Sequence, residues 1–114
     1  MKYFVSIYEL FRTDTGLENV CPSIDVVNNI VSLRTILSVL RLLIGCPLII
    51  NSGYRSEAVN SAVGGVLESK HLLGLAADIR CERMSTLKSI CKEWYKKGVF
   101  SECVIHDNYI HVAI

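Results

Sequence analysis

The chain has 114 residues, of which 51% are apolar and 20% charged, with a net charge of +1. That length holds one hydrophobic core, so residues 1–114 are read as a single domain, and the apolar share excludes a disordered chain. Scattered Lys and Arg at near-neutral charge leave no electrostatic footprint for nucleic acid, and no such partner is expected.

Residues 3–11 read as a short amphipathic opening segment, followed by a polar loop from Arg12 to Pro22. The opening carries one positive charge and an apolar stretch broken by Ser6 and Glu9. It lacks the long apolar region and small-residue cleavage site of a secretory leader, so synthesis in the cytoplasm is expected. Ser23 is an N-cap for a helix from Ile24 to Ile44, along which Val27, Ile30, Val31, Leu37, Leu40 and Ile44 recur at helical spacing. Gly45 and Pro47 end it. Asn28, Asn29, Arg34 and Arg41 interrupt the apolar stretch Val26 to Ile50, which argues against a membrane span and for the spine of a core. No stable membrane association is expected.

Leu48-Ile49-Ile50 reads as a strand leading into Asn51-Ser52-Gly53-Tyr54-Arg55. Residues 56–63 make a helical turn or two, and Gly64-Gly65 a turn. Ala76 to Cys81 is a second strand. Ser85 caps a helix on which Leu87, Ile90, Cys91, Trp94 and Tyr95 share a face, closed by Gly98, with Lys96-Lys97 complementing its carbonyl end. Glu102 to Ile105 and Tyr109 to Ile114 are strands joined near Asp107-Asn108. The fold class is α+β: a small, mainly antiparallel sheet packed against a long helix and a second helix. The five cysteines (Cys21, Cys46, Cys81, Cys91, Cys103) have neither zinc-knuckle nor disulfide-scaffold spacing and read mostly as reduced, buried thiols.

The chemistry concentrates in His71, Asp78 and His111. Imidazole and carboxylate both suit a cation such as zinc, and a catalytic zinc site takes three protein ligands and leaves one position open. Gly74 permits a sharp change of direction between His71 and the strand carrying Asp78, and Ala76 leaves space beside the ion. His111 shares its strand face with Tyr109 and Ala113.

Ser52-Gly53-Tyr54-Arg55-Ser56, Asn60, Val63-Gly64-Gly65, the block Ser69-x-His71-x-x-Gly74-x-Ala76-x-Asp78, and Ile110-His111-Val112 stand here in an order that resembles one family. It is the zinc D-alanyl-D-alanine carboxypeptidase and phage endolysin-type peptidase family, which shares its fold with the Hedgehog signalling domain. The opening Tyr3-Phe4 with Glu9-Leu10, and the long helix before Ser52, match its short single-domain members. The resemblance thus covers nearly the whole chain, and the Ser69 to Asp78 block is its specific part.

The resemblance implies a Zn2+ cofactor held by His71, Asp78 and His111. It also implies an Arg55 that binds a substrate carboxylate or a developing oxyanion, for which guanidinium suits through its fixed donors, with Ser69 in support. Ser52, Tyr54 and Asn60 read as shaping the loop. The implied activity is hydrolysis of peptidoglycan stem or cross-link peptides near a D-amino acid, by a D,D-carboxypeptidase or an endolysin-type endopeptidase, with metal-bound water as nucleophile. With no leader, such a substrate would be reached after lysis or by dedicated release, as for a phage or prophage protein.

One position departs from the family pattern. A Glu commonly stands a few residues before the last zinc histidine as general base, and Ile105-His106-Asp107-Asn108-Tyr109-Ile110 contains none. Aligning Phe100 with the Phe that opens this hairpin puts His106 where the acid/base would stand, and an unperturbed imidazole can move protons at neutral pH. Asp107 is the other candidate. Glu102 would qualify only on the His111-facing side of its strand, which the sequence leaves open. The competing readings are a non-catalytic zinc-binding interaction domain and a structural domain whose metal stabilises a small core. The oligomeric state is left open.

Overall fold

The computed structural model describes residues 4–20 and 23–114. Tyr3 of the opening segment, and Cys21 and Pro22 of the loop, lie outside them. Ser6 and Glu9 form a reciprocal cap at the start of α1 (Ile7–Phe11), each side chain accepting the other's backbone N–H. Ser23 accepts from the Val26 N–H to start α2 (Ile24–Ile44), and Gly45, at φ +70°, ends it in the left-handed conformation that glycine adopts without strain. Both boundaries agree with the sequence reading.

The sheet consists of β1 (Ile49–Ser52), β2 (Ala76–Arg80), β3 (Glu102–Ile105) and β4 (Ile110–Ala113) in the order β1-β2-β4-β3, every pair antiparallel. The fold is therefore α+β, as expected. Strand ends differ from the sequence reading: Leu48, Cys81, Tyr109 and Ile114 fall outside the strands, while β1 continues past Ile50 to Ser52.

Side chains on opposite faces of this sheet meet different surroundings. Ile50, Ala77, Ile79, Ile110 and Val112 join Ile30, Leu33, Leu37, Leu40 and Ile44 of α2 in the buried core, with Leu87 and Cys91 of α4 (Met84–Lys96). The alternate positions, Asp78 on β2 and His111 on β4, pair directly in register and project to the other face. The core helices α2 and α4 thus pack on one face of the sheet, and Asp78 and His111 project from the other.

Two expectations need correction. The α4 ladder begins with Leu87 N–H bonding to Arg83 C=O, so the helix starts at Met84 behind Arg83, and Ser85 lies in its first turn rather than at the cap. The second concerns α2, which is a spine on one side only. Val31, Val39, Leu42 and Leu43 are exposed on its outer surface, and by length and composition alone it could cross a membrane. Its polar residues have structural work: Arg34, Ser38 and Arg41 hydrogen-bond to Val5 and Phe4, and Arg41 also pairs with Glu9 and reaches the Leu48 carbonyl. They fasten the N-terminal segment along the helix.

Among the described residues the cysteines Cys46, Cys81, Cys91 and Cys103 are free, two buried and two half-buried. Burial, with Cys103 nearby, pushes the Cys91 thiol up to about 12, so it stays protonated at neutral pH.

Candidate metal centre

The segment between α3 (Glu57–Ala62) and β2 contains an element that the sequence did not announce, a 3-10 turn over Lys70–Leu73. The Ser69 hydroxyl accepts from the His71 N–H and caps the turn, and Gly74 closes it at φ +72°. Asn29 of α2 donates to the Leu73 carbonyl at 2.9 Å, and Gly74 packs against Ile30 and Val26. A Cβ at Gly74 would meet Ile30 Cγ1 at 2.6 Å, so the close approach and the positive φ both require glycine. The long helix therefore fixes where His71 stands.

The His71 ring is held by Gly53, whose carbonyl lies 2.7 Å from Nδ1. A carbonyl only accepts, so Nδ1 carries the hydrogen and Nε2 presents its electron pair. That pair faces Asp78 Oδ1 at 3.2 Å. His111 is held in the same manner from the opposite nitrogen. Its Nε2–H donates to Glu102 Oε1 at 2.8 Å, and its Nδ1 lies 3.1 Å from the same Asp78 Oδ1. The two rings approach edge to face, with centroids 5.3 Å apart.

One donor atom from each of His71, Asp78 and His111 therefore converges on one place, all within 4.8 Å of one another, and the group could hold a metal ion. The donor chemistry fits. With each imidazole neutral and hydrogen-bonded at its far nitrogen, three electron-rich atoms face each other and call for a positive charge between them. The same demand appears in the titration of the site. Rings protonated on both nitrogens meet it with their own charge: burial pushes the Asp78 carboxyl up, but hydrogen bonds from His111 and His71 in that form, and the charge they then carry, outweigh it and hold Asp78 well below the usual carboxylate range. The Asp78 hydrogen bond likewise raises the His111 imidazole against the effect of burial, with Glu102 adding to it.

Asp78 divides its oxygens. Oδ1 faces the imidazoles, while Oδ2 accepts from Arg55 Nη2 at 3.1 Å. Arg55 is further held through Nε by the Ser52 hydroxyl at 2.9 Å and through Nη1 by Asn60 Oδ1 at 3.3 Å. A guanidinium has five N–H donors, and these contacts engage three of them. Ser52 and Asn60, read from sequence as loop-shaping, are thus the residues that aim Arg55. Gly64, at φ +72°, makes the expected turn, and Gly65 has a further use, because a Cβ there would strike the Asn60 amide that holds Arg55.

The remaining candidates are not among the converging donors. His106 and Asp107 are exposed in the turn between β3 and β4. The His106 ring stacks on Tyr109, centroids 4.4 Å apart and planes 16° from parallel. Ser69 has its hydroxyl engaged in the cap beneath His71. Glu102 does lie on the His111-facing side of β3, because Val104 pairs with His111 and Glu102 with Ala113. Sequence reasoning missed the parts played by Gly53 and Glu102. For Gly53 the only signal was a glycine beside the Tyr54-Arg55 pair, and for Glu102 the hairpin register decides.

The family model described as Peptidase M15 matches residues 7–113, nearly the whole chain. No curated protein matches.

Proposed function

Since the chain belongs to the peptidase M15 family, whose members are zinc-dependent, we propose that it is a zinc peptidase that hydrolyses cell-wall peptides next to a D-amino acid. The observation that carries this reading is the convergence of His71 Nε2, Asp78 Oδ1 and His111 Nδ1 beside an arginine with donors to spare. In this reading His71, Asp78 and His111 hold the ion. Zinc, when bound, acts as a Lewis acid that brings the pKa of a water to about 7 and polarises a carbonyl.

The chain's own residues do the rest. Arg55, fixed by Ser52, Asn60 and Asp78, directs its remaining donors at a substrate carboxylate or at the negative charge that develops on the scissile carbonyl oxygen. Because Ser52 and Asn60 accept from it in advance, little rearrangement is needed when substrate arrives. His106 takes a proton and returns it to the leaving amine, which suits an imidazole in the exposed turn at the end of the hairpin that bears His111. Asp107 is the alternative for that step. The route to the wall is release from the cytoplasm of the phage or prophage type.

The test is a muropeptide digest read by mass spectrometry, on protein whose zinc content is known from elemental analysis. Release of a D-amino acid marks a carboxypeptidase, and a split cross-link marks an endopeptidase. His106→Ala is expected to lower turnover about a hundredfold with zinc retained. Unchanged activity in both His106→Ala and Asp107→Ala refutes the base assignment. Stoichiometric zinc with no turnover on any wall peptide refutes the hydrolase reading in favour of a non-catalytic zinc-binding domain.

A further inference from the structure

We propose that Glu102 is a positioning residue for the metal centre, a carboxylate that fixes the tautomer and the orientation of His111 from the far side of its ring. The inference rests on the zinc reading above and concerns a residue outside the three ligands.

An imidazole presents two nitrogens on opposite sides of the ring, and only the one without hydrogen can bind a cation. For His111 the choice matters, since Nδ1 is the nitrogen that faces Asp78. Glu102 Oε1, 2.8 Å from Nε2, can only accept, so it places the hydrogen on Nε2 and leaves the electron pair on Nδ1. The register of the β3–β4 hairpin brings this about. Glu102 and His111 are diagonal neighbours on one sheet face, a separation that two long side chains bridge.

Glu102 is itself tethered. Its second oxygen, Oε2, lies 3.9 Å from Lys70 Nζ, which also donates to the Ser101 hydroxyl at 2.7 Å. Lys70 adjoins His71 in the 3-10 turn, so one surface ion pair links the turn that carries His71 to β3, the strand paired with the one that carries His111. His71 has a neutral counterpart in Gly53 C=O, and the two rings are thus locked by different means: a backbone carbonyl within the fold, and a half-exposed carboxylate near its rim. The same position argues against Glu102 as general base. It sits across the imidazole from the atoms that gather at Asp78.

The experiment measures zinc affinity by competition with a chromophoric chelator for wild type, Glu102→Gln and Glu102→Ala. Glu102→Ala is expected to bind zinc 10–100-fold more weakly, and Glu102→Gln, which keeps an acceptor, within about threefold of wild type. Wild-type affinity in a folded Glu102→Ala protein overturns the inference while leaving the zinc site standing. Absence of zinc binding by the wild type overturns both. A second measurement needs no variant: the 15N shifts of the zinc-loaded wild type should show His111 bound through Nδ1 with a slowly exchanging Nε2–H. Metal on Nε2 overturns the assignment whatever the variants do.

Discussion

Gly53→Ala tests how closely the site depends on backbone approach. A Cβ at position 53 would stand 2.6 Å from the Leu10 carbonyl oxygen and 2.9 Å from Leu10 Cα, both backbone atoms with no rotamer to escape by. Ordinary contact begins near 3.4 Å, so α1 and the strand end must separate by most of an ångström. The adjacent Tyr54 N–H donates to that same Leu10 oxygen at 2.8 Å, so separation also strains a backbone hydrogen bond. Overpacking of this kind costs about 1–3 kcal/mol, and a weakened buried hydrogen bond about 1 kcal/mol more. The displaced group includes the Gly53 carbonyl that holds His71 Nδ1, so zinc affinity should fall about tenfold in addition. Urea denaturation of the metal-free protein reads the first effect, and chelator competition reads the second. Wild-type stability and affinity in Gly53→Ala would refute the idea that this contact sets the ligand's orientation. A loss of stability with zinc affinity intact would separate the two parts and sink the second.

Asp78→Asn should abolish stoichiometric zinc and also destabilise the metal-free protein by about 3 kcal/mol, because Arg55 then loses its counter-charge in a largely buried setting; elemental analysis and a denaturation curve check the two effects. Arg55→Lys should lower kcat/KM on a cleaved peptide about a hundredfold with zinc content unchanged, since an ammonium cannot reproduce the separate bonds to Ser52, Asn60 and Asp78; full activity would exclude the charge-stabilising role. Burial pushes the Glu9 carboxyl up, but the Arg41 hydrogen bond and charge and the Ser6 N–H outweigh it, so Glu9 sits below its ordinary 4.5. A carboxyl depressed in the folded state adds stability above its unfolded value, and that stability is lost as pH falls. Glu9→Gln should therefore cost about 1–3 kcal/mol at pH 7 and flatten the fall in unfolding free energy below about pH 4.5, as followed by denaturation at a series of pH values.

What could be read from the sequence depended on how local the determining interaction was. The ends of α2 follow from Ser23 and Gly45, whose capping lies within a few residues of each helix end. The grouping of His71, Asp78 and His111 was legible through the family resemblance, whose specific part, Ser69 to Asp78, lies within ten residues of chain, and the structure brings donor atoms of all three together. The start of α4 did not follow, because Ser85 is a good cap by type while the backbone ladder begins before it, at Arg83. The 3-10 turn over Lys70–Leu73 is too short to show a period. Ser52 and Asn60 around Arg55, and Gly53 behind His71, act through a β-strand end, a short helix and a turn that meet only in the folded chain. Glu102 depended on hairpin register, where a slip of one residue would have turned it to the opposite face. The apolar content of α2 rightly marked it as the spine of the core but did not show which face is outward, where Val31, Val39, Leu42 and Leu43 are exposed.

The sheet order has a consequence for the timing of assembly. β4 sits between β2 and β3, so before residues 102–113 are in place the only possible pairing is the β1–β2 ribbon, and two strands alone are marginal in water. Asp78 then has Ser52 of β1 across the ladder but not His111, and His71 has no second imidazole to face. Under the zinc reading proposed above, capture of an ion would wait until the final hairpin docks, and a nascent or clipped chain lacking it would hold no more than a loose fragment of the cage.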